Sequence, residues 1–264
     1  MKKRGYYLES VIKIINFSDS KRSQISFLII IGIVLIGVIL LVFLLNTDTD
    51  LEIFKRDKIS PGVLPIYAVI NDCIEQRSID AIRIVGLQGG YIIIPENYLE
   101  TDISNTAYGL YDNRNVLLSI DKIEKEIQDY IELTIPYCID SNDFPDSEIT
   151  PKKPNANVKI KQDSVSVKAI LPVSVSKGEN TFELDAPYEI ELPIRLKKIH
   201  DTANLIINKQ LEDLDYVDMT FLTNLEFNTI FIPFNESNLI YVITDYESEI
   251  DDISYSFMFG AKLR

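Results

Sequence analysis

Ser164–Leu196 reads SVSVKAILPVSVSKGENTFELDAPYEIELPIRL, and its alternation sets the architecture of the second half of the chain. Val165, Val167 and Ala169 alternate with Ser164, Ser166 and Lys168; Val173 and Val175 follow. Lys177-Gly178-Glu179-Asn180 reads as a turn before Phe182 and Leu184, and Ile190, Leu192, Ile194 and Leu196 alternate with Glu189, Glu191 and Arg195. A period of two places the apolar set on one face, so these runs predict strands of an antiparallel sheet with one side buried. Phe227–Ile232, Leu239–Thr244 and Ile253–Phe259 extend the same pattern. One amphipathic helix is expected over Lys198–Asp213, using Ala203, Ile206, Ile207 and Leu211.

Upstream the period changes. From Pro61, a first-turn residue, Ile66, Ile70, Cys73 and Ile74 recur at helical spacing. A second helix is expected over Ser119–Tyr137, with the stripe Ile120, Ile123, Ile127, Tyr130, Ile131. Asp121 and Glu124 have capping-box spacing, Asp121–Lys125 is a favourable i,i+4 pair, and Pro136 limits the helix. Between the halves, residues 142–157 (NDFPDSEITPKKPNAN) carry Pro145, Pro151 and Pro154 and few apolar residues, which reads as a linker.

Toward the N-terminus, Ile25–Leu45 (ISFLIIIGIVLIGVILLVFLL) holds no charge. At helical rise it reaches about 30 Å, the thickness of a hydrocarbon core, so a transmembrane helix is expected over 24–46. Residues 1–22 hold six basic and two acidic side chains, a charge of +4; the −14 of the whole chain then leaves −18 beyond them. The positive-inside rule puts the basic leader, 1–23, in the cytoplasm and the acidic bulk outside. The apolar run is too long for an ordinary signal peptide, and no A-x-A site follows it. The expected class is therefore α+β: one transmembrane helix, a helical exported segment (47–141), the linker, and a mainly antiparallel β segment with one helix (158–264). An acidic exterior repels nucleic acid, so the partners expected are the lipid bilayer and itself or another envelope protein.

Lys21-Arg22-Ser23-Gln24-Ile25-Ser26-Phe27 resembles the class III signal of archaeal type IV pilins. The resemblance implies cleavage between Ser23 and Gln24, with the helix retained as an assembly surface. Leu28 occupies the fifth mature position, where pilins commonly carry Glu. Cys73, GLQGGYIIIP at 86–95, Ala107-Tyr108-Gly109, the Ile120–Ile131 helix and Cys138 are similar to a group of single-pass membrane proteins in small-genome archaea. That likeness implies lineage and topology and carries no activity.

Few residues point to chemistry. Gly86-Leu87-Gln88-Gly89-Gly90 follows a helix and precedes an expected strand, Tyr91–Pro95. Phosphate loops run the other way, from strand to helix N-terminus, so helix termination and a tight turn are expected. Cys73 and Cys138 are the only cysteines. On an exported face they would pair and staple two helices, worth about 4 kcal/mol in the chain-entropy model. The single histidine, His200, excludes zinc sites built on several histidines and reads as a solvated surface residue. The acidic runs Asp140–Glu148 and Glu247–Asp252 lack EF-hand order and read as solvated loops. Asn235-Glu236-Ser237 is the exterior glycosylation sequon. No catalytic residue, metal ligand or cofactor site is expected. Two function classes remain: a non-catalytic extracytoplasmic surface protein that binds or assembles, or a membrane-tethered enzyme using Asp/Glu acid–base chemistry. A deep pocket with two facing carboxylates would favour the enzyme; an exposed apolar patch would favour assembly.

Overall fold

The computed structural model of the protein describes residues 31–38, 60–140 and 143–263. The chain forms two compact units, Met1–Arg56 and Asp57–Arg264. In the first, residues 31–38 are helical, with Ile33, Leu35 and Ile36 exposed. The rest of the 24–46 run and the 1–23 leader lie outside the described residues. Among the described residues no helix is long and apolar enough to cross a membrane.

The second unit begins with α1 (Leu64–Leu87), followed by β1 (Tyr98–Glu100), β2 (Asn105–Tyr111), β3 (Arg114–Asn115) and α2 (Ile120–Thr134). A 3-10 turn, Ile135–Cys138, extends α2. Six short strands come next: β4 (Glu148–Pro151), β5 (Asn155–Ile160), β6 (Val165–Ile170), β7 (Val173–Lys177), β8 (Asn180–Leu184) and β9 (Tyr188–Leu192). Then follow α3 (Leu196–Glu212), α4 (Met219–Thr223), β10 (Asn228–Pro233), β11 (Asn238–Ile250) and β12 (Ile253–Lys262).

These strands make three sheets. Two are three-stranded, in the orders β4-β7-β8 and β5-β6-β9, and the third runs β1-β2-β12-β11-β10 with β3 paired to β2. All the pairings are antiparallel except β12 with β2, which is parallel through Gly260↔Tyr108 and Ala261↔Leu110. Period-two burial holds where the sequence alternates: Val165, Val167, Ala169, Val173 and Val175 are all buried. One continuous core runs from Val63 through Ile127, Val167 and Ile206 to Phe259.

The expected fold class therefore needs correction in four places. The transmembrane helix is not part of the described fold. Residues 47–141 are not a purely helical segment, because β1, β2 and β3 interrupt them and β2 joins the C-terminal sheet. The 142–157 stretch contains β4 and the start of β5, and one core spans both sides of it. Its prolines are compatible with strands because Pro151 closes β4 and Pro154 precedes β5. Finally, two helices, α3 and α4, occur in the C-terminal segment.

Local chemistry explains other departures. α1 starts at Leu64, with Pro65 in its first turn. Ser119 caps α2 without a side-chain bond, and the capping box does not form. Glu124 instead accepts the Ile160 N–H (2.8 Å) and the Lys159 ammonium (2.8 Å), while Glu132 accepts the Ala156 N–H (2.9 Å). β5 is the outer strand of its sheet, so its outward N–H groups would lack acceptors; two carboxylates eight residues apart on α2 supply them for Ala156 and Ile160. Tyr91–Pro95 forms no strand, because Glu126 accepts the Ile92 (2.9 Å) and Ile93 (3.1 Å) N–H groups that a ladder would use.

α1 ends as its glycines require. The Gly90 N–H reaches the Val85 carbonyl (2.7 Å), with Gly89 and Gly90 at φ +71° and +97°. One turn earlier, a Cβ on Gly86 would stand 2.6 Å from the Ser256 carbonyl oxygen. That oxygen belongs to β12 and cannot swing aside. Gly86→Ala is therefore expected to destabilise the fold by about 2–3 kcal/mol, measured by urea denaturation; an unchanged midpoint would refute this packing.

Candidate functional site

Strand β10 is an edge strand of the second unit that combines an unpaired side with exposed apolar side chains. It is the last strand of the large sheet and pairs on one side only, with β11. The Phe234 N–H donates to the Asn238 carbonyl (2.9 Å), which fixes the phase of the ladder. In an antiparallel pair the two-residue alternation then turns Ile230 and Ile232 toward β11, and the backbone groups of Thr229, Phe231 and Pro233 outward. Pro233 has no N–H to offer, so its position on the open side costs the sheet nothing.

The side chains of β10 divide in the same way. Phe231 meets Tyr241 edge-on at 6.5 Å on the inner face. Ile230, Ile232 and Phe234 fall on the outer face and are 49%, 46% and 43% exposed. Neighbouring Ile240 is buried with Met258 and Leu99, and Val242 packs against that group. The result is an apolar row at the margin of a smaller apolar cluster, beside unpaired backbone groups.

The start of β10 is held by a charged knot. Arg195, just before α3, donates Nε–H to Asp245 Oδ2 (2.8 Å) and Nη2–H to Asp245 Oδ1. Its Nη1 lies 2.6 Å from Glu247 and 3.5 Å from Glu226, and its guanidinium sits 5.2 Å from the centre of the Phe227 ring. The Ser248 hydroxyl donates to Asp245 Oδ2 (2.6 Å) and accepts the Arg195 N–H (3.0 Å); the Glu247 N–H donates to Asp245 Oδ1 (2.9 Å). A break in the β11–β12 register between Asp245 and Glu249 gives the chain room for this wrapping. Burial by itself would raise the Asp245 pKa, but Arg195, Ser248 and the Glu247 amide outweigh it and hold the pKa below the usual value. Hydrogen bonding to Asp245 in turn raises that of Arg195. A carboxylate so stabilised is a poor proton donor, and the knot reads as structural.

A shallow hollow lies between α3, α4 and β11, lined in part by Ile206, Gln210, Tyr216 and Phe221. Gln210, Asp218 and Tyr241 in its lining are engaged within the protein. The Tyr241 hydroxyl donates to Gln210 Oε1 (2.5 Å), Gln210 Nε2 donates to the Asp213 (2.7 Å) and Tyr216 (3.1 Å) carbonyls, and Asp218 accepts the Phe221 N–H (2.9 Å). Asp218 is the one carboxylate in the lining, so the hollow does not present a facing pair.

His200 is buried, not solvated. Its Nε2 lies 2.7 Å from the Leu118 carbonyl and its Nδ1 3.3 Å from the Asn204 amide nitrogen, so a neutral ring donating through Nε2 satisfies both. Burial lowers its pKa, against the Leu118 carbonyl and Asp201. The signal missed in the sequence was its place on the apolar face of α3, between Ile199 and Ala203.

Cys73 in α1 and Cys138 at the end of the 3-10 turn have their sulfurs at disulfide distance, with Cα atoms 5.7 Å apart. Asn235 is exposed in the β10–β11 turn, where its Oδ1 accepts the Ser237 N–H (3.0 Å) and the Asn238 amide (2.8 Å). Ser23 and Gln24 lie outside the described residues. The acidic run 247–252 is not a loose loop: Glu247 and Glu249 belong to β11, and Asp251 pairs with Arg83. Among the described residues, no three His, Cys, Asp or Glu side chains gather as a metal site. No family model, curated protein or solved structure matches this chain.

Proposed function

We propose that the second unit is a non-catalytic binding or assembly module on the extracytoplasmic side of the cell membrane, docking through the outer edge of β10. The observation that carries this reading is the uncharged strand Asn228–Pro233, open on one side and bearing Ile230 and Ile232 at the surface beside the exposed Phe234. Added strands gain affinity from main-chain hydrogen bonds and specificity from the side chains on alternate positions.

The extracytoplasmic address is supported by the sulfur pair, since cysteines at this distance oxidise readily outside the reducing cytosol. The −18 charge beyond residue 22 disfavours nucleic acid as a partner, and the exposed apolar residues at 31–38 are what favours a membrane. In that setting Cys73–Cys138 is a disulfide and Asn235 an accessible glycan acceptor. Copurification from native cells tests the reading. Ile230→Lys/Ile232→Lys in the full chain is expected to keep the wild-type melting temperature and lose the proteins or copies that accompany the wild type. Retention of all of them by the double variant would sink it.

A further inference from the structure

We infer that the occupant of the β10 edge is the β10 of a second copy of this chain, paired antiparallel about a two-fold axis at Phe231. The inference rests on the docking reading above and names its partner.

The outward backbone groups are self-complementary. Thr229 and Phe231 supply two N–H donors, while Thr229, Phe231 and Pro233 supply three carbonyls. With the axis at Phe231, the two Phe231 residues exchange both of their hydrogen bonds. Each Thr229 N–H then meets the Pro233 carbonyl of the other copy. Every outward donor finds an acceptor, and the missing N–H of Pro233 faces only a Thr229 carbonyl, which keeps its second choice of solvent. The contact is isologous, so it closes as a dimer and does not propagate.

Charge points to the same strand. Two copies at −14 each repel across most of their surfaces. From Phe227 to Asn235 the chain carries no charged residue, so edge-to-edge contact buries no carboxylate. The flanking acids leave the strand line: Glu226 turns to Arg195 (3.5 Å), and Glu236 sits in the turn where the Phe234 and Asn235 N–H groups both reach the Asn238 carbonyl. On the outer face, Ile230 falls opposite Ile232 of the other copy, which covers both exposed side chains.

The register can be read by crosslinking. Ile230→Cys and Ile232→Cys full-length chains, carrying different tags, are mixed and oxidised. Opposed residues at a non-hydrogen-bonded position lie about 4.5 Å apart at Cα, whereas a residue and its own copy two positions off register are about 7–8 Å apart. A covalent heterodimer in the mixture, with little dimer from either variant alone, is the expected result. Absence of the heterodimer, or equal crosslinking of each variant with itself, overturns the inference. If Ile230→Lys/Ile232→Lys nonetheless loses copurifying proteins, the edge docks a different partner and only the occupant is wrong; if it loses nothing, the docking reading falls as well.

Discussion

Replacing Arg195 with alanine is expected to destabilise the second unit by about 3–5 kcal/mol, the cost of leaving a buried charge without its partner. The partner is Asp245, 1% exposed and bound through two guanidinium nitrogens. Ser248 and the Glu247 amide would still contact the carboxylate but carry no compensating charge. The chain has 14 tyrosines and no tryptophan, so unfolding is followed by tyrosine fluorescence in urea. A loss below about 1 kcal/mol, typical of an exposed pair, would mean that the knot is solvated. Arg195→Met/Asp245→Leu should recover much of the loss, because removing both charges removes the unpaired one.

The same knot has a pH signature. The pKa of Asp245 is lowered on folding, so the unfolded chain takes up its proton first as pH falls. Its contribution is complete above the unfolded carboxylate pKa and is lost as pH drops through the folded value. Wild type should therefore lose stability steeply on acidification below the ordinary carboxylate range. Asp245→Asn should be less stable at neutral pH and show a shallower acid slope. An identical slope in the two proteins would show that other carboxylates govern acid unfolding.

Reduction of Cys73–Cys138 is expected to cost about 4 kcal/mol in the chain-entropy model, since the bond closes a separation of 65 residues. The two sulfurs join α1 to the end of the 3-10 turn that extends α2, and Ile70 and Ile74 of α1 and Ile131 of α2 are fully buried. Reduced protein should keep the same core but melt well below the oxidised form. Alkylation mass should shift only after reductant is added. Immediate labelling of both thiols in denatured, unreduced protein would show that the bond is not formed, and an equal melting temperature after reduction would show that it does not stabilise the fold.

The periodicities of two and 3.6 were legible because they are properties of single segments. Val165–Ala169, Ile190, the α2 stripe and the α3 stripe each carry their own buried face, whatever they pack against. Strand β10 was legible as a strand from Phe227–Ile232, and its lack of charge was there to be read. Which edge of it stays open was not, because that depends on the phase of the β10–β11 ladder and on β10 being last in its sheet.

Other misreadings share one cause: a polar group can satisfy a distant partner in place of a local one. Glu124 has capping-box spacing from Asp121, yet it serves β5, 36 residues downstream of it at Ile160. The Tyr91–Pro95 run is rich in β-branched residues, yet Glu126 takes two of its N–H groups. His200 looks solvated beside two lysines and an aspartate, but a carbonyl 82 residues away makes its burial tolerable. β2 sits in a segment that reads as helical, and its parallel pairing with β12 spans about 150 residues, a contact no local pattern encodes.

By itself, the sequence determined the alternation of Ser164–Leu196, the amphipathic helices and the charge asymmetry, because each follows from side-chain spacing along one backbone. Only the tertiary structure decided which backbone groups were left to pair. It sealed β5 with α2, wrapped Asp245 around Arg195 and left β10 open, because hydrogen-bond satisfaction is settled across the whole fold and not within a segment.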